Sequence, residues 1–370
     1  MNILIVGNGF DLSHYLPTKY DHFMLAMKAI EDWKESQGEM GFDDLFSSLY
    51  EKETYFFGYT KAMYKTDETK ISVDKIKELK GQLKENVWYQ YFSDHVREVK
   101  TWIDFEQKIE EVLVAIACFT ADIDKANTHA EVRNYLNFNS KEQWKIKEKN
   151  FNILSFFGLW ADEEYVSMAT IGASVKSKRT NLNTIFCHRN DIKNGFNPEF
   201  FLELAHSQLE KFIEVFNLYL ELIVDKLIPI CNVKIEAKEW ILPDKIYSFN
   251  YTNTYQKFYA QSADTDFLHG RFGKDQNIVL GVSELQDESL KKLKAYGFTK
   301  YHQKLFKDTD YLFLDSYKNQ IRENLLELEK HRENSYESVQ ISQAYFNKIT
   351  QMGKLDLNFF IWGHSLDVTQ

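Results

Sequence analysis

The feature that most limits how this chain can fold is a pair of short apolar runs near its two ends, each stopped by a glycine. Ile3-Leu-Ile-Val6 closes on Gly7, and Leu357-Asn-Phe-Phe-Ile-Trp362 closes on Gly363. A short continuous apolar run of this kind reads as a buried parallel strand. Lys245-Ile-Tyr-Ser-Phe249 and Ile278-Val-Leu280 read the same way. Between Val6 and Lys245 the spacing turns helical. Phe105, Ile109, Val112, Leu113 and Ile116 share one helix face, as do Leu209, Phe212, Ile213, Phe216, Leu220, Ile223 and Leu227. Asn197-Pro198-Glu199 supplies a start signal for the second helix, a cap residue followed by proline at the first helical position. Glu284 to Thr350 is charged, aromatic and mostly helical in rhythm. The expected fold is α/β and Rossmann-like: a parallel sheet with strands from both chain ends and a large helical insertion. Residues 1–30 and 240–370 would form the core, and 31–239 the mostly helical insertion.

Composition removes several function classes. The chain has 370 residues, 44% hydrophobic with 29 Phe and 21 Tyr, enough for a large core. Its net charge of −10 argues against nucleic acid as a partner gripped through the overall field. Cys118, Cys187 and Cys231 are widely spaced and include no CxxC pair, so neither a zinc ribbon nor a disulfide framework is expected. His14 and His22 have no Cys or His partner at ligand spacing, and no metal is expected there. No apolar run approaches the roughly 18 residues of a membrane span. The basic stretch and longer apolar segment of a signal peptide are missing as well, and the expected compartment is the cytoplasm.

The chemistry should sit where the strands end, because ligands of open α/β sheets bind at the carboxyl edge. Gly7-Asn8-Gly9-Phe10-Asp11-Leu12 follows the first strand. Glycines there permit a tight turn and close approach of a ligand, and the backbone N–H groups of a following helix suit phosphate. The third glycine of the dinucleotide fingerprint is replaced by Leu12. A plain strand-to-helix turn satisfies the same residues, and Asp11 fits either a helix cap or a carboxylate facing a developing cation. Asn250, in Tyr247-Ser-Phe-Asn-Tyr-Thr-Asn253, could hold a ribose hydroxyl or a water, or cap its own turn. His269, in Phe267-Leu-His-Gly270, could move protons near neutral pH or be a satisfied core histidine. Gly363-His364-Ser365-Leu366 ends the last strand with a small residue and a hydroxyl.

A rival constellation lies at Trp102-Ile-Asp104-Phe-Glu106-Gln-Lys108. Asp followed by Glu-x-Lys is a metal-nuclease arrangement when the last two lie on a strand and share a face. Here the segment runs into a helical pattern, which turns i and i+2 about 200° apart. The plainer reading is the polar start of an amphipathic helix.

The opening Gly-Asn-Gly-Phe-Asp-Leu, followed by Leu16-Pro-Thr-Lys-Tyr20 and Phe23, resembles the AbiH-type abortive-infection family. That family usually carries glycine at the position of Tyr15, a departure expected to narrow the pocket mouth; it also has a Trp-x-Asp-x-Glu segment. More distantly, Gly7, Gly9, Phe10 and Pro17, then Asn250, His269-Gly270 and Gly363-x-Ser365-Leu366, are similar in order to sirtuin-like NAD-processing domains. Two departures are the missing zinc ribbon and the Tyr251-Thr252 that follows Asn250. The resemblance implies an anti-phage abortive-infection effector that binds and hydrolyses NAD, or a related nucleotide, at the nicotinamide–ribose bond. It implies Asn250 and His269 as catalytic. Gly7, Asn8, Gly9, Phe10, Asp11, Pro17, Thr18, Gly363, His364 and Ser365 would hold NAD, which is a substrate here, without a metal. The alternatives are a metal-dependent nuclease-type effector using Asp104 and Glu106, and a non-catalytic nucleotide-sensing module. AbiH proteins continue past Gly-His-Ser-Leu-Asp, so a missing C-terminal segment is a further expectation. The sheet surface left uncovered would then be compensated by a homo-oligomer or by helices of the Glu284–Thr350 stretch.

Overall fold

The computed structural model describes residues 2–34, 38–95, 102–137, 139–169, 173–191, 194–230, 242–259, 263–309, 318–319, 321–326, 329–330 and 357–364. Among the described residues eight strands are formed: β1 (Asn2–Val6), β2 (Met40–Gly41), β3 (Lys70–Ile71), β4 (Trp160–Ala169), β5 (Ala173–Leu182), β6 (Lys245–Ser248), β7 (Asp264–Phe267) and β8 (Asn358–Trp362). Four of them make a parallel sheet in the order β7-β6-β1-β8. Val6 pairs with Ser248 on one side and Trp362 on the other, and Ser248 pairs with Phe267, so the four carboxyl ends lie side by side. Period-two alternation divides the strands between two faces. Leu4, Val6 and Ile246 pack with Phe10 and Tyr255 on one, and Ile3, Tyr247 and Leu268 on the other.

Two expectations about the sheet need correcting. Ile278-Val-Leu280 is fully buried but is not a strand. Side chains satisfy much of its backbone instead: Gln303 accepts from the Leu280 N–H (3.0 Å) and donates to its carbonyl (2.9 Å), while Lys307 donates to the Ile278 carbonyl (2.7 Å). The fourth strand is β7, which hides its period behind acidic residues because it lies at the sheet edge. Its Asp264 and Asp266 both pair with Lys245 of β6. The inserted region also contains the antiparallel β4–β5 hairpin, paired from Trp160–Leu182 to Ala169–Ala173, among its helices.

The two long helical readings hold, while much of the Glu284–Thr350 stretch lies outside the described residues. Trp102–Ile123 and Pro198–Tyr219 are helices, the latter continued by a wider turn at Leu220–Val224. Pro198 takes a first-turn position, and the Asn197 side chain accepts from the Phe200 N–H. Their apolar faces meet in a core rich in aromatic rings. Phe92 and Phe105 have centroids 4.2 Å apart, and Phe105 stacks on Phe212 at 5.5 Å. On β8, Phe359 and Ile361 are 57% and 46% exposed. Cys118 and Cys187 are free thiols, and Cys231 lies outside the described residues. Among the described residues, no helix is long and apolar enough to cross a membrane.

Candidate functional site

A cavity of about 590 Å³, its open mouth included, lies at the carboxyl ends of β1 and β6. Gly7, Asn8, Asp11 and Thr18 line one side and Phe249, Asn250, Tyr251, Thr252 and His269 another. Glu106, Phe216, Leu220 and Lys300 complete it.

Asp11 lies in the helix Asn8–Ser13 that β1 feeds directly, and it is 1% exposed. Thr252 Oγ1 donates to its Oδ2 at 2.6 Å, while its Oδ1 has no hydrogen-bond partner among the described residues. Burial pushes its carboxyl from 3.8 up to about 6; the hydroxyls of Thr252 and Thr254, the Asn250 amide and the Lys257 charge pull the other way. The group therefore changes charge within reach of neutral pH, where a proton-transfer residue works best.

His269 sits at the turn after β7. Gly270 follows it with φ +79°, and a Cβ there would meet the Asn277 carbonyl oxygen at 1.9 Å, so only glycine completes this turn. His269 Nε2 is buried and has no partner among the described residues. Burial, then Lys304, Lys300 and His364, hold the imidazole well below its ordinary value, and the ring is neutral at physiological pH. Its ring meets Phe249 edge-on, with centroids 5.1 Å apart. Asn250 is 5% exposed, and its Nδ2 donates to the Gly7 carbonyl at 2.9 Å, tying the ends of β1 and β6 together. Thr18 Oγ1 donates to Asn8 Oδ1 at 2.8 Å and fixes that amide at the rim.

The structure divides the residues read from sequence. Gly7, Asn8, Asp11, Thr18, Asn250 and His269 come together around the cavity. Gly9 and Gly363 instead form a seam between the turns after β1 and β8. Gly9 N–H donates to the Gly363 carbonyl at 2.9 Å, Gly7 N–H donates to the Trp362 carbonyl at 3.2 Å, and a Cβ on Gly9 would lie 2.8 Å from Gly363 Cα. The N–H groups expected to cradle phosphate at Gly7 and Gly9 are thus engaged by β8 and its turn. Phe10 is core, meeting Trp362 edge-to-face at 4.9 Å. The Pro17 carbonyl accepts from the Tyr219 hydroxyl at 2.5 Å, which anchors the loop from behind. His364 touches Phe249, with ring centroids 4.2 Å apart. Ser365 lies outside the described residues. Tyr15 does not narrow the mouth; its ring stacks on Tyr59 at 4.7 Å away from the lining residues. Its φ of +56° accounts for a glycine at this position.

Glu106 reaches the cavity, where it pairs with Lys300 at 2.7 Å. Asp104 does not line it, and Lys108 pairs with Glu111 at 3.3 Å, so the three do not share one site. Thr252 and Tyr251 were hidden inside a motif read for its asparagine. Lys300 carries no sequence signal, since it lies in a charged stretch with lysines at positions 291, 292, 294, 304 and 307. Asp21, His22 and Glu53 bring three ligand-type atoms close together elsewhere, but Glu53 already pairs with Lys19 at 2.5 Å.

A parallel sheet whose strand ends enclose a buried carboxyl, a neutral imidazole and an amide defines an α/β protein with a cavity at the carboxyl edge of its sheet. Comparison with family models gives the family: "Bacteriophage abortive infection AbiH" matches residues 3–370, and the chain belongs to it. The family supports an anti-phage abortive-infection role. Neither the curated proteins nor the solved structures gave a match.

Proposed function

We propose that this cavity binds NAD or a closely related nucleotide and hydrolyses it at the nicotinamide–ribose bond, arresting growth of the infected cell. One observation carries the reading. Two buried groups, Asp11 Oδ1 and His269 Nε2, lack hydrogen-bond partners among the described residues and belong to side chains lining one cavity beside the Asn250 amide. Orphaned polar atoms of this kind are costly in a folded chain and mark a functional site.

In the proposed reaction the C–N bond to nicotinamide breaks and its electron pair stays on the ring nitrogen. That nitrogen was cationic, so the leaving group needs no proton. Positive charge develops on the ribose, as in other glycosidic transition states. The Asp11 carboxylate offsets that charge, and Asn250 orients the ribose or the attacking water. Neutral His269 takes the proton as water adds to the anomeric carbon. Incubation with NAD, and separately with RNA, followed by product analysis is the test. Nicotinamide and ADP-ribose are expected; cleaved RNA with intact NAD would favour a nuclease, and binding without turnover a nucleotide sensor.

A further inference from the structure

The cavity contains an ion pair that the proposed hydrolysis does not use. Glu106 arrives on the Trp102–Ile123 helix and Lys300 on the Lys300–Phe306 helix, and their charged atoms are 2.7 Å apart with 14% and 8% side-chain exposure. Lys300 is firmly placed: its N–H donates to the Val282 carbonyl at 2.8 Å, and the Thr299 side chain caps its helix. Lys304 follows one turn along, and burial followed by the charge of Lys300 lowers its ammonium to about 8. Both lysines also bear on His269. This wall thus carries the Lys300 ammonium and the Glu106 carboxylate, with Lys304 near it but outside the lining, whereas the Asp11 side carries an acid.

A cavity with an ammonium group available on one wall and an acid on the other suits a ligand that is anionic at one end and becomes cationic at the other. We propose that Lys300 is the phosphate-binding group of this site and that Glu106 is its built-in counter-ion, displaced when the diphosphate of a nucleotide takes its place. The inference rests on the reading of this cavity as a nucleotide site. It assigns the anion contact to a side chain, where the glycine turn has its N–H groups of Gly7 and Gly9 engaged by Trp362 and Gly363. A carboxylate that competes with the ligand keeps Lys300 neutralised in the free protein and lowers affinity for any anion. Removing the carboxylate and removing the ammonium should therefore act in opposite directions, which a purely structural ion pair would not do.

Titration of the full chain with ADP and, separately, with inorganic pyrophosphate tests this. Glu106→Gln is expected to bind both probes about tenfold tighter and Lys300→Met at least about tenfold weaker, the scale of one charge-assisted contact. The double variant Glu106→Gln/Lys300→Met, in which no charge is stranded, should fold and bind like Lys300→Met. Weaker binding by Glu106→Gln, or unchanged binding by Lys300→Met, would overturn the proposal. So would absence of binding to both wild type and Glu106→Gln. If neither single variant folds, a double variant that retains wild-type affinity overturns it. Nicotinamide release is measured apart from binding: the expected binding pattern without release sinks the hydrolysis and keeps Lys300, and the reverse result does the opposite.

Discussion

The turn after β1 has two sides, and they are built to opposite standards. On the seam side, Gly9 meets Gly363 backbone to backbone, the carbonyl is paired and no room remains for a methyl group. On the cavity side, a few residues away, Asp11 keeps an oxygen unpaired among the described residues, in a site that burial makes hostile to its charge. The seam is saturated and favours stability; the cavity wall is left unsatisfied at the expense of stability. A glycine-rich turn at a strand end is therefore not by itself a phosphate cradle, since its glycines can answer to a second turn.

Substitutions on the two sides should separate activity from stability. The largest effect is expected for His269→Ala, with turnover of NAD falling by roughly 10²–10⁴ as the base is lost. Affinity for ADP-ribose should change far less; equal losses in both would make His269 a binding residue. Next comes Asp11→Asn, which keeps an acceptor for Thr252 while removing the buried charge. The folded-state value of about 6 exceeds the ordinary 3.8, so the native protein holds this proton more tightly than the unfolded chain does. Stability is accordingly lost as pH rises from about 4 to 6, by on the order of 3 kcal/mol in total. Asp11→Asn should recover up to that amount in urea unfolding at pH 7, little at pH 4, and lose turnover. A variant destabilised at pH 7 would break the contrast between the two sides.

On the seam, Gly9→Val should cost roughly 1–3 kcal/mol by overpacking, with the ligand-induced rise in melting temperature preserved in the folded fraction. Loss of that rise in a stably folded protein would put the ligand at the seam after all. The smallest effect belongs to Tyr15→Gly. Relief of the left-handed backbone is opposed by lost stacking on Tyr59 and by the greater entropy of an unfolded glycine, leaving a net change within about 1 kcal/mol. Thermal melts measure it, and a drop of several degrees would mean that the aromatic stack supports the fold.

Strands buried on both faces announced themselves in the sequence, because burial demands continuous apolar residues; β1 and β6 are of this kind. Edge strand β7 did not, since Asp264 and Asp266 are tolerated where one flank faces solvent and Lys245 can neutralise them. Ile278–Leu280 misled for the converse reason: its burial is real, but an amide side chain, Gln303, does the hydrogen bonding of an absent neighbour. Of the site, Asn250, His269 and Asp11 were legible because each follows a strand end. Lys300 was not, because its partner Glu106 lies on a helix far earlier in the chain and nothing local distinguishes it from neighbouring lysines. Glu106 was noticed for a nuclease pattern and has its place in the cavity for another reason, its helix being packed against the late segment.

The seam also has a temporal meaning. β1 is synthesised more than three hundred residues before β8, yet the two lie hydrogen-bonded side by side from Asn2 opposite Asn358 to Val6 opposite Trp362. A ribosome that has passed codon 300 has produced each residue lining the cavity, but the turn that carries Gly7, Asn8 and Asp11 still lacks the Gly363 backbone it rests against. Closing that contact requires a long loop, a slow kind of contact to form. The order of synthesis therefore places the finished turn behind β8.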